Sequence, residues 1–167
     1  MNNKMQLTKD LAHKQLHIVR NFDAPAKWIW RAFTDSEILD QWWGPKPWHA
    51  ETKYMNFSEG GHWHYAMVGP NEEKQWCLAN FTKIDPYKSY DGKDAFCDEN
   101  EAIIDSMPSM QWHNVFEDKG NNTSVKVTIT FPSEADLNSI IEMQFEQGFA
   151  TGLDQLEELI KKGVIGR

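Results

Sequence analysis

The sequence has little positive charge and no long hydrophobic run. Its 17 lysine and arginine residues are outnumbered by 25 aspartate and glutamate residues, so the formal net charge is −8. This balance argues against nucleic acid as the main partner, because a phosphate backbone attracts a clustered basic face. Every apolar run is shorter than the roughly 20 residues that a membrane-spanning helix needs. We therefore expect no membrane span.

The first fifteen residues also lack a recognisable targeting signal. Residues 1–15 are polar and contain no apolar core of the kind found in secretion signals, which predicts a cytoplasmic protein. We interpret residues 1–15 as a flexible N-terminal tail. The remaining residues, 16–167, are predicted to form a single domain, because this length is sufficient for one substantial core.

The chain has only two cysteines, Cys77 and Cys97, which are too few for a disulfide framework. They flank a predicted hairpin, so they could face each other on adjacent strands. In a reducing cytoplasm two free thiols are the default. Without a basic neighbour to lower a thiol pKa, neither is predicted to be a covalent nucleophile.

Catalytic and cofactor signatures are missing. No serine lies in a Gly-x-Ser-x-Gly turn, and the sequence has no phosphate loop, dinucleotide fingerprint or Cys-x-x-Cys pair. An acidic run offers the only candidates for acid–base chemistry, and we interpret it as a solvated face. Its members are Asp91, Asp94, Asp98, Glu99 and Glu101. We predict no catalytic residue and no cofactor, which favours a protein that is not an enzyme without deciding the question.

Aromatic residues, in contrast, are abundant, with eight tryptophans, nine phenylalanines and four tyrosines. The longest predicted helix begins at Phe145 and ends near Lys161. Its apolar residues recur at helical spacing: Phe145, Phe149, Leu153, Leu156 and Ile160. Gly148 and Gly152 lie beside this stripe and cost roughly 1 kcal/mol each relative to alanine. We expect them to permit a close approach of the sheet to the helix backbone.

Upstream of this helix the pattern has a period of two, typical of strands. The predicted strands are His17–Phe22, Trp48–Phe57, His62–Val68, Trp76–Ile84, Lys88–Phe96, Met110–Phe116 and Val125–Phe131. Two short helices follow the first strand, one capped by Asp23 and one starting at Asp35 or Ser36. A further short helix is predicted over Glu134–Met143. Strands in a run with segregated helices indicate an α+β fold. We predict a curved antiparallel six- to seven-stranded sheet wrapped around the long C-terminal helix, which covers its apolar face.

Several segments match a known family over residues 16–162. The main matches are FDAPAKWIWRAF (22–33), TDSEILDQWWGP (34–45), EGGHWHYAMVGP (59–70) and GFATGLDQLEEL (148–159). Shorter matches are FTKIDP (81–86), SMQW (109–112) and TSVKVTITFPS (123–133). The chain resembles the START-like helix-grip (SRPBCC) superfamily, specifically its subgroup related to the activator of heat-shock-protein-90 ATPase. It departs from the family pattern at Phe149, where tryptophan is common, and at Gln144, where glycine is frequent.

The resemblance implies a deep apolar cavity between sheet and C-terminal helix. Family members include lipid and hormone binders, polyketide cyclases and a heat-shock co-chaperone domain, so the fold alone does not select a function. We expect binding of a small hydrophobic or aromatic ligand. The alternatives are a polyketide cyclase- or hydratase-like enzyme and a co-chaperone that contacts the heat-shock ATPase. A homodimer is a further possible assembly.

Nine residues form the predicted pocket lining: Trp43, Trp63, Tyr65, Trp76, Phe96, Trp112, Phe145, Phe149 and Leu153. A filled core would use the same residues, and the family resemblance favours the cavity. The enzyme alternative requires a titratable group with a strongly shifted pKa inside this cavity, and the predicted inward faces show few candidates.

His62 and His64, which lie two apart on one predicted strand, are candidate metal ligands. Imidazoles at that spacing can share a zinc ion. However, this face lies opposite Trp63 and Tyr65 and is expected to be the solvated outer surface. Without an evident third ligand, no metal site is predicted.

Overall fold

The computed structural model describes residues 3–165, which form an eight-stranded sheet and four helices. The strands are β1 (Gln6–Asp10), β2 (Gln15–Phe22), β3 (His49–Met55), β4 (His62–Val68), β5 (Lys74–Asp85), β6 (Ser89–Cys97), β7 (Ser109–Asp118) and β8 (Thr123–Thr130). The helices are α1 (Ala26–Thr34), α2 (Ser36–Trp42), α3 (Glu134–Glu142) and α4 (Phe145–Lys161). The predicted α+β class and terminal helix are confirmed, with one or two strands more than predicted.

The strands are ordered β1-β2-β8-β7-β6-β5-β4-β3, and each neighbouring pair is antiparallel. After β2 the chain passes through α1 and α2 to reach β3 at the opposite edge of the sheet. From β3 to β7 each strand pairs with the next in sequence. β8 lies between β7 and β2 and pairs with both. No helix within residues 3–165 is long and apolar enough to cross a bilayer.

The two short helices bury large apolar side chains. The α2 start is the predicted one, since the Asp35 side chain accepts a hydrogen bond from the Glu37 amide at 3.0 Å. The predicted Asp23 cap is wrong, because α1 begins after Pro25 and no side chain caps it. Trp42 is fully buried at the end of α2 and donates its indole N–H to the Ala32 carbonyl at 3.0 Å.

Helix α4 packs its apolar stripe inward and lies unusually close to the end of α2. A Cβ on Gly152 would stand 3.1 Å from the Trp42 carbonyl oxygen and 3.4 Å from that of Trp43. A Cβ on Gly148 would meet only Pro45, at an ordinary 3.5 Å. The predicted close approach therefore occurs at Gly152, but its partner is the backbone of α2, not the sheet.

The N-terminal segment differs from the predicted tail. Residues Gln6–Asp10 form β1, which pairs with β2 along its whole length, with Leu7 opposite Ile18. The hydrophobic pattern does not predict this strand, because its side chains are at most partly buried. As an edge strand it is held by backbone hydrogen bonds to its neighbour. Residues 1 and 2 of the predicted tail lie outside the described part of the chain.

Candidate functional site

A partly open cavity of about 600 Å³ lies between the sheet, the segment after α2 and the α3–α4 junction. Six of the nine predicted residues line it: Trp43, Tyr65, Phe96, Trp112, Phe145 and Phe149. Twelve further residues complete the wall: Pro45, Trp48, Met67, Gln75, Cys77, Asp94, Ala95, Met110, Ile140, Met143, Gln144 and Gly148. The lining is predominantly apolar, which is typical of small-molecule sites.

Three predicted residues lie outside the cavity wall. Leu153 is 1% exposed and belongs to the core beneath α4. Trp63 stacks against Tyr65 with ring centroids 3.8 Å apart, and its indole N–H donates to the Thr52 hydroxyl at 3.0 Å. Both side chains face the interior, as predicted, but they are packed in the core. They support the cavity wall from behind and do not border the open space.

Trp76 lies on the opposite face of the sheet, so its predicted place in the pocket is wrong. The register pairs Tyr65 with Cys77, which directs Cys77 inward and Trp76 outward. Its ring instead packs on His64, with centroids 4.8 Å apart, and lies near the ammonium groups of Lys53 and Lys74. The prediction placed Trp76 and Phe96 on one face, whereas Trp76 is paired with Cys97 and shares its face, because side chains alternate along each strand.

Trp43 is the centre of the aromatic wall. Its ring centroid lies 5.7 Å from that of Phe149 and 5.9 Å from that of Trp112. Its indole N–H donates to the Tyr65 hydroxyl at 3.0 Å. One residue after the end of α2, Trp43 thereby joins strand β4, strand β7 and helix α4 around the cavity.

Gln155 of α4 holds the segment that carries Trp43. Its side-chain amide donates to the carbonyls of Trp42 (3.1 Å) and Gly44 (2.8 Å). Its side-chain oxygen accepts the Lys46 backbone N–H at 2.8 Å. A single side chain thus satisfies three backbone groups that the end of α2 leaves free. The Trp-Trp-Gly-Pro motif and the last helix therefore act together to shape one side of the cavity.

Gln144 connects α3 to α4 in a left-handed conformation, with φ of 65°. This backbone region favours glycine, because a Cβ is crowded there. The departure from glycine noted in the sequence is therefore accommodated as local strain. Gln144 is exposed and lines the cavity together with its neighbour Met143, which is 49% exposed.

Asp94 is the one acidic residue among those that line the cavity. The register pairs it with Ala79 and Met110, and it shares the inward face of β6 with Phe96. Burial raises the pKa of its carboxyl to about 8. The predicted solvated face is therefore wrong for Asp94, although Asp98, Glu99 and Glu101 are exposed. The signal was available, because Asp94 lies two residues before Phe96, which was predicted to face inward.

Three other polar groups belong to this wall. Burial raises the pKa of Tyr65 well above its usual range and that of the Cys77 thiol to about 12. Trp112 is 8% exposed, and its indole nitrogen has no hydrogen-bond acceptor in residues 3–165. The hydroxyl and thiol are therefore protonated at neutral pH, and the cavity carries polar protons without any fixed cation.

The two cysteines do not face each other. Cys77 pairs with Phe96, while Cys97 pairs with Trp76, so their side chains lie on opposite faces of the sheet. Both are free thiols, and Cys97 is buried. The predicted cross-strand pair is wrong, because β5 and β6 are paired one residue away from the register that would place Cys77 opposite Cys97.

His64 is not on a solvated surface, which corrects the interpretation of the two-histidine strand. It is 1% exposed, and its Nε2 lies 3.1 Å from the Asp98 carbonyl oxygen. The Nε2 atom of His62 lies 2.9 Å from a carboxylate oxygen of Glu101. The segment after β6 covers both histidines. Within the described residues, no group of three or more possible ligands could hold a metal ion.

Three solved structures are similar to this chain over nearly its whole length. A protein from Arthrobacter aurescens is 29% identical with a TM-score of 0.88, and the alignment covers 94% of this chain and 91% of that one. Ms6760 from Mycobacterium smegmatis is 26% identical with a TM-score of 0.85, covering 92% and 94%. A protein from Staphylococcus epidermidis is 27% identical with a TM-score of 0.82, covering 94% of each chain. No curated protein matches.

A sequence model of one family spans the elements that build the cavity. The family described as "Activator of Hsp90 ATPase homolog 1-like protein" matches residues 23–161. This region contains every residue that lines the cavity and the whole of α4. The eight-stranded sheet closed by a C-terminal helix agrees with the helix-grip fold that the sequence motifs predicted. The chain therefore belongs to the Activator of Hsp90 ATPase homolog 1-like protein family.

Proposed function

We propose that this protein binds a small apolar or aromatic molecule in the cavity between the sheet and α4. The supporting observation is the cavity itself, about 600 Å³ in volume and walled by aromatic rings. Protein interiors are normally packed to crystal-like density, with few voids larger than a water molecule. A space of this size falls in the range of known ligand pockets, roughly 300–1,000 Å³.

The affinity would come mainly from apolar burial. Transfer of apolar surface out of water stabilises by about 25 cal/mol per Å². The rings of Trp43, Trp112 and Phe149 contact one another and are held in place, so binding would require little ordering of the wall. Met143 and Gln144 line the cavity and are exposed, so we expect a ligand to enter beside them.

Native mass spectrometry of the protein purified without added ligand tests this proposal. A mass excess that disappears on denaturation is the expected result, and the released molecule would identify the ligand class. A panel of aromatic and long-chain compounds should also raise the melting temperature. Absence of both effects would contradict a binding role.

A matched pair of variants assigns the binding to this cavity. Met67→Trp places extra volume in the cavity wall, whereas Met55→Trp adds the same side chain to a strand position outside that wall. The Met67 variant should lose the mass excess and the thermal shift. The Met55 variant should keep both. Equal loss in the two variants would place the binding elsewhere.

An enzyme of the polyketide cyclase kind is a second candidate, favoured by one observation. This alternative required a titratable group with a strongly shifted pKa in the cavity, and the Asp94 carboxyl, with a pKa of about 8, is such a group. A carboxylic acid kept neutral by an apolar site can donate a hydrogen bond to a carbonyl oxygen. Asp94 would thereby polarise a carbonyl of a chain folded within the aromatic wall.

Incubation with a linear polyketone, followed by mass spectrometry of the products, tests the enzyme candidate. Ring formation should be faster with the protein than with Asp94→Leu by about 100-fold or more, the usual contribution of general acid–base catalysis. Equal rates would remove this candidate and leave ligand binding standing. The co-chaperone alternative rests on the family name alone and stays a prediction, tested by stimulation of the heat-shock ATPase.

A further inference from the structure

The charge of the cavity wall limits which ligands fit it. Among the described residues that line the cavity, Asp94 is the single acidic side chain, and none is lysine, arginine or histidine. A bound carboxylate would therefore meet no cation in an apolar space. Burial of an uncompensated charge is strongly unfavourable, so anionic ligands such as fatty acids are disfavoured.

The Asp94 carboxyl leans along β6 toward Gly92. One of its oxygens, Oδ1, lies 3.7 Å from the point where a Cβ on Gly92 would stand. Gly92 is paired with Trp112 across the β6–β7 register, and Asp94 is paired with Met110. Asp94 and Trp112 are thus diagonal neighbours on one face of adjacent strands, and both line the cavity.

Neither polar group has a partner in the protein. No donor from residues 3–165 hydrogen-bonds the Asp94 carboxyl, and burial is the only cause of its raised pKa. The Trp112 indole N–H is buried without an acceptor. Asp94 is only partly buried and lines the open cavity, so a ligand there can supply the hydrogen-bond partner that its carboxyl lacks in the protein.

Building on the proposed ligand-binding function, we propose that the ligand is an uncharged aromatic molecule with a hydrogen-bond acceptor, such as a ketone. It presents this acceptor to the Asp94 carboxyl. At neutral pH most Asp94 carboxyl groups carry a proton, because burial raises their pKa to about 8. The protonated carboxyl is then a donor, and a carbonyl oxygen of the ligand has lone pairs that accept from it.

The pH dependence of binding reports on Asp94 alone. The titratable groups that face it are Tyr65 from β4, Cys77 from β5 and Tyr90 from its own strand. Burial raises the pKa of each, that of Cys77 to about 12, so all three stay neutral while Asp94 ionises. Helices α3 and α4 contribute no titratable side chain to the cavity wall. Deprotonation of Asp94 removes its donor, which weakens binding of an acceptor.

Four naphthalene derivatives, each substituted at the same ring carbon, test the proposal by calorimetry with the full chain. They are acetylnaphthalene, isopropylnaphthalene, naphthoate and naphthyltrimethylammonium, which differ in polarity and charge at a similar size. Acetylnaphthalene should bind at least fivefold tighter than isopropylnaphthalene at about pH 7, and naphthoate should bind weakest. With a pKa of about 8, the affinity for acetylnaphthalene should fall about tenfold between pH 7 and pH 9.

Two variants separate the donor from the charge. Asp94→Asn keeps a donor without ionising, so acetylnaphthalene should bind within about threefold of wild type and lose its pH dependence. Asp94→Leu should bind the acetyl and isopropyl compounds equally. Asp91→Asn on the same strand lies outside the cavity wall and should behave like wild type. The melting temperature of each variant checks that it is folded.

The outcomes distinguish this proposal from the proposed function. Equal affinity of wild type for the acetyl and isopropyl compounds would overturn the acceptor proposal and leave ligand binding intact. Tightest binding of naphthyltrimethylammonium, increasing above about pH 8, would overturn it in favour of a cation site. Tightest binding of naphthoate would also overturn it. Absence of binding by all four compounds would contradict the proposed function as well.

Discussion

At the scale of single residues, two ionisable side chains lie in apolar surroundings for different reasons. Arg20 is 1% exposed on β2, and its guanidinium reaches α4, where Nη1 lies 2.7 Å from Asp154 and Nη2 lies 3.5 Å from Glu157. Its charge is compensated by ion pairs between sheet and helix. Asp94 has no such compensation, and its burial appears instead as a raised pKa.

Removal of the closer Arg20 partner should destabilise the fold. Asp154→Asn leaves a buried guanidinium with one distant carboxylate, and breaking a buried pair costs about 3–5 kcal/mol. Because the Asp154 side chain is 68% exposed, solvent screening reduces the expected cost to about 1–2 kcal/mol. Urea denaturation measures this difference. Glu158→Gln, exposed on the same helix, is the control and should change stability by less than about 0.5 kcal/mol.

The raised pKa of Asp94 predicts a pH-dependent stability. Its pKa increases from 3.8 to about 8 on folding, so the folded state binds the proton more tightly than the unfolded state. The contribution of Asp94 is therefore most favourable below about pH 4 and is lost as pH rises to about 8. Asp94→Asn removes this loss, and its stability relative to wild type should increase by about 2–4 kcal/mol between those pH values. Denaturation of both proteins across this range measures it, and a constant difference would contradict the raised pKa.

At the scale of elements, the contact between α2 and α4 determines one side of the cavity. Two features of α4 make this contact, the absent side chain at Gly152 and the three hydrogen bonds of Gln155. Both act on the backbone around Trp43, which carries the central ring of the wall. The shape of the site therefore depends on a helix–helix contact as well as on the sheet.

The two glycines of α4 should respond oppositely to alanine. Gly148→Ala meets only ordinary van der Waals contact and improves helix propensity, so it should stabilise by up to about 1 kcal/mol. The Cβ that Gly152→Ala adds would stand 3.1 Å from the carbonyl oxygen of the fully buried Trp42. Since that carbonyl cannot move freely, we expect a loss of about 1–3 kcal/mol. Thermal denaturation compares the pair, and equal effects would show that α2 yields to the added methyl group.

Gln155→Ala should loosen the wall as well as the fold. It removes three hydrogen bonds to the segment from Trp42 to Lys46. We expect a loss of about 1–3 kcal/mol in stability. Binding of a cavity ligand should also weaken, because Trp43 and Pro45 line the cavity. Gln147→Ala, exposed on the same helix, is the matched control. A stability loss with unchanged ligand affinity would show that Trp43 is held by its other contacts.

At the scale of the whole molecule, the element order and the type of most elements could be predicted from the sequence. The strand His62–Val68 and the start of α4 at Phe145 agree with the prediction residue for residue. Local patterns suffice there, because turns, caps and periodicity lie within a few residues of the elements they define. Strand β1 could not be found in this way, since its stability comes from pairing with β2.

At this scale, the predicted homodimer stays a prediction. The two edge strands carry charged side chains, with Lys9 and Asp10 on β1 and Glu51 and Lys53 on β3. Charges at sheet edges oppose the addition of a further strand. Sedimentation velocity over a range of concentrations should therefore show no association through these edges. A dimer that Lys53→Val strengthens would place the contact at β3.

By itself, the sequence determined the fold family, the succession of elements and most of the aromatic wall, since these depend on local periodicity and on motifs such as Trp-Trp-Gly-Pro. The tertiary structure decided which polar groups share the cavity. Asp94 and Cys77 face inward and Trp76 outward because strand register assigns the faces, and a slip of one residue exchanges them. His64 is buried because the segment after β6 folds back over it, a contact between residues distant in sequence.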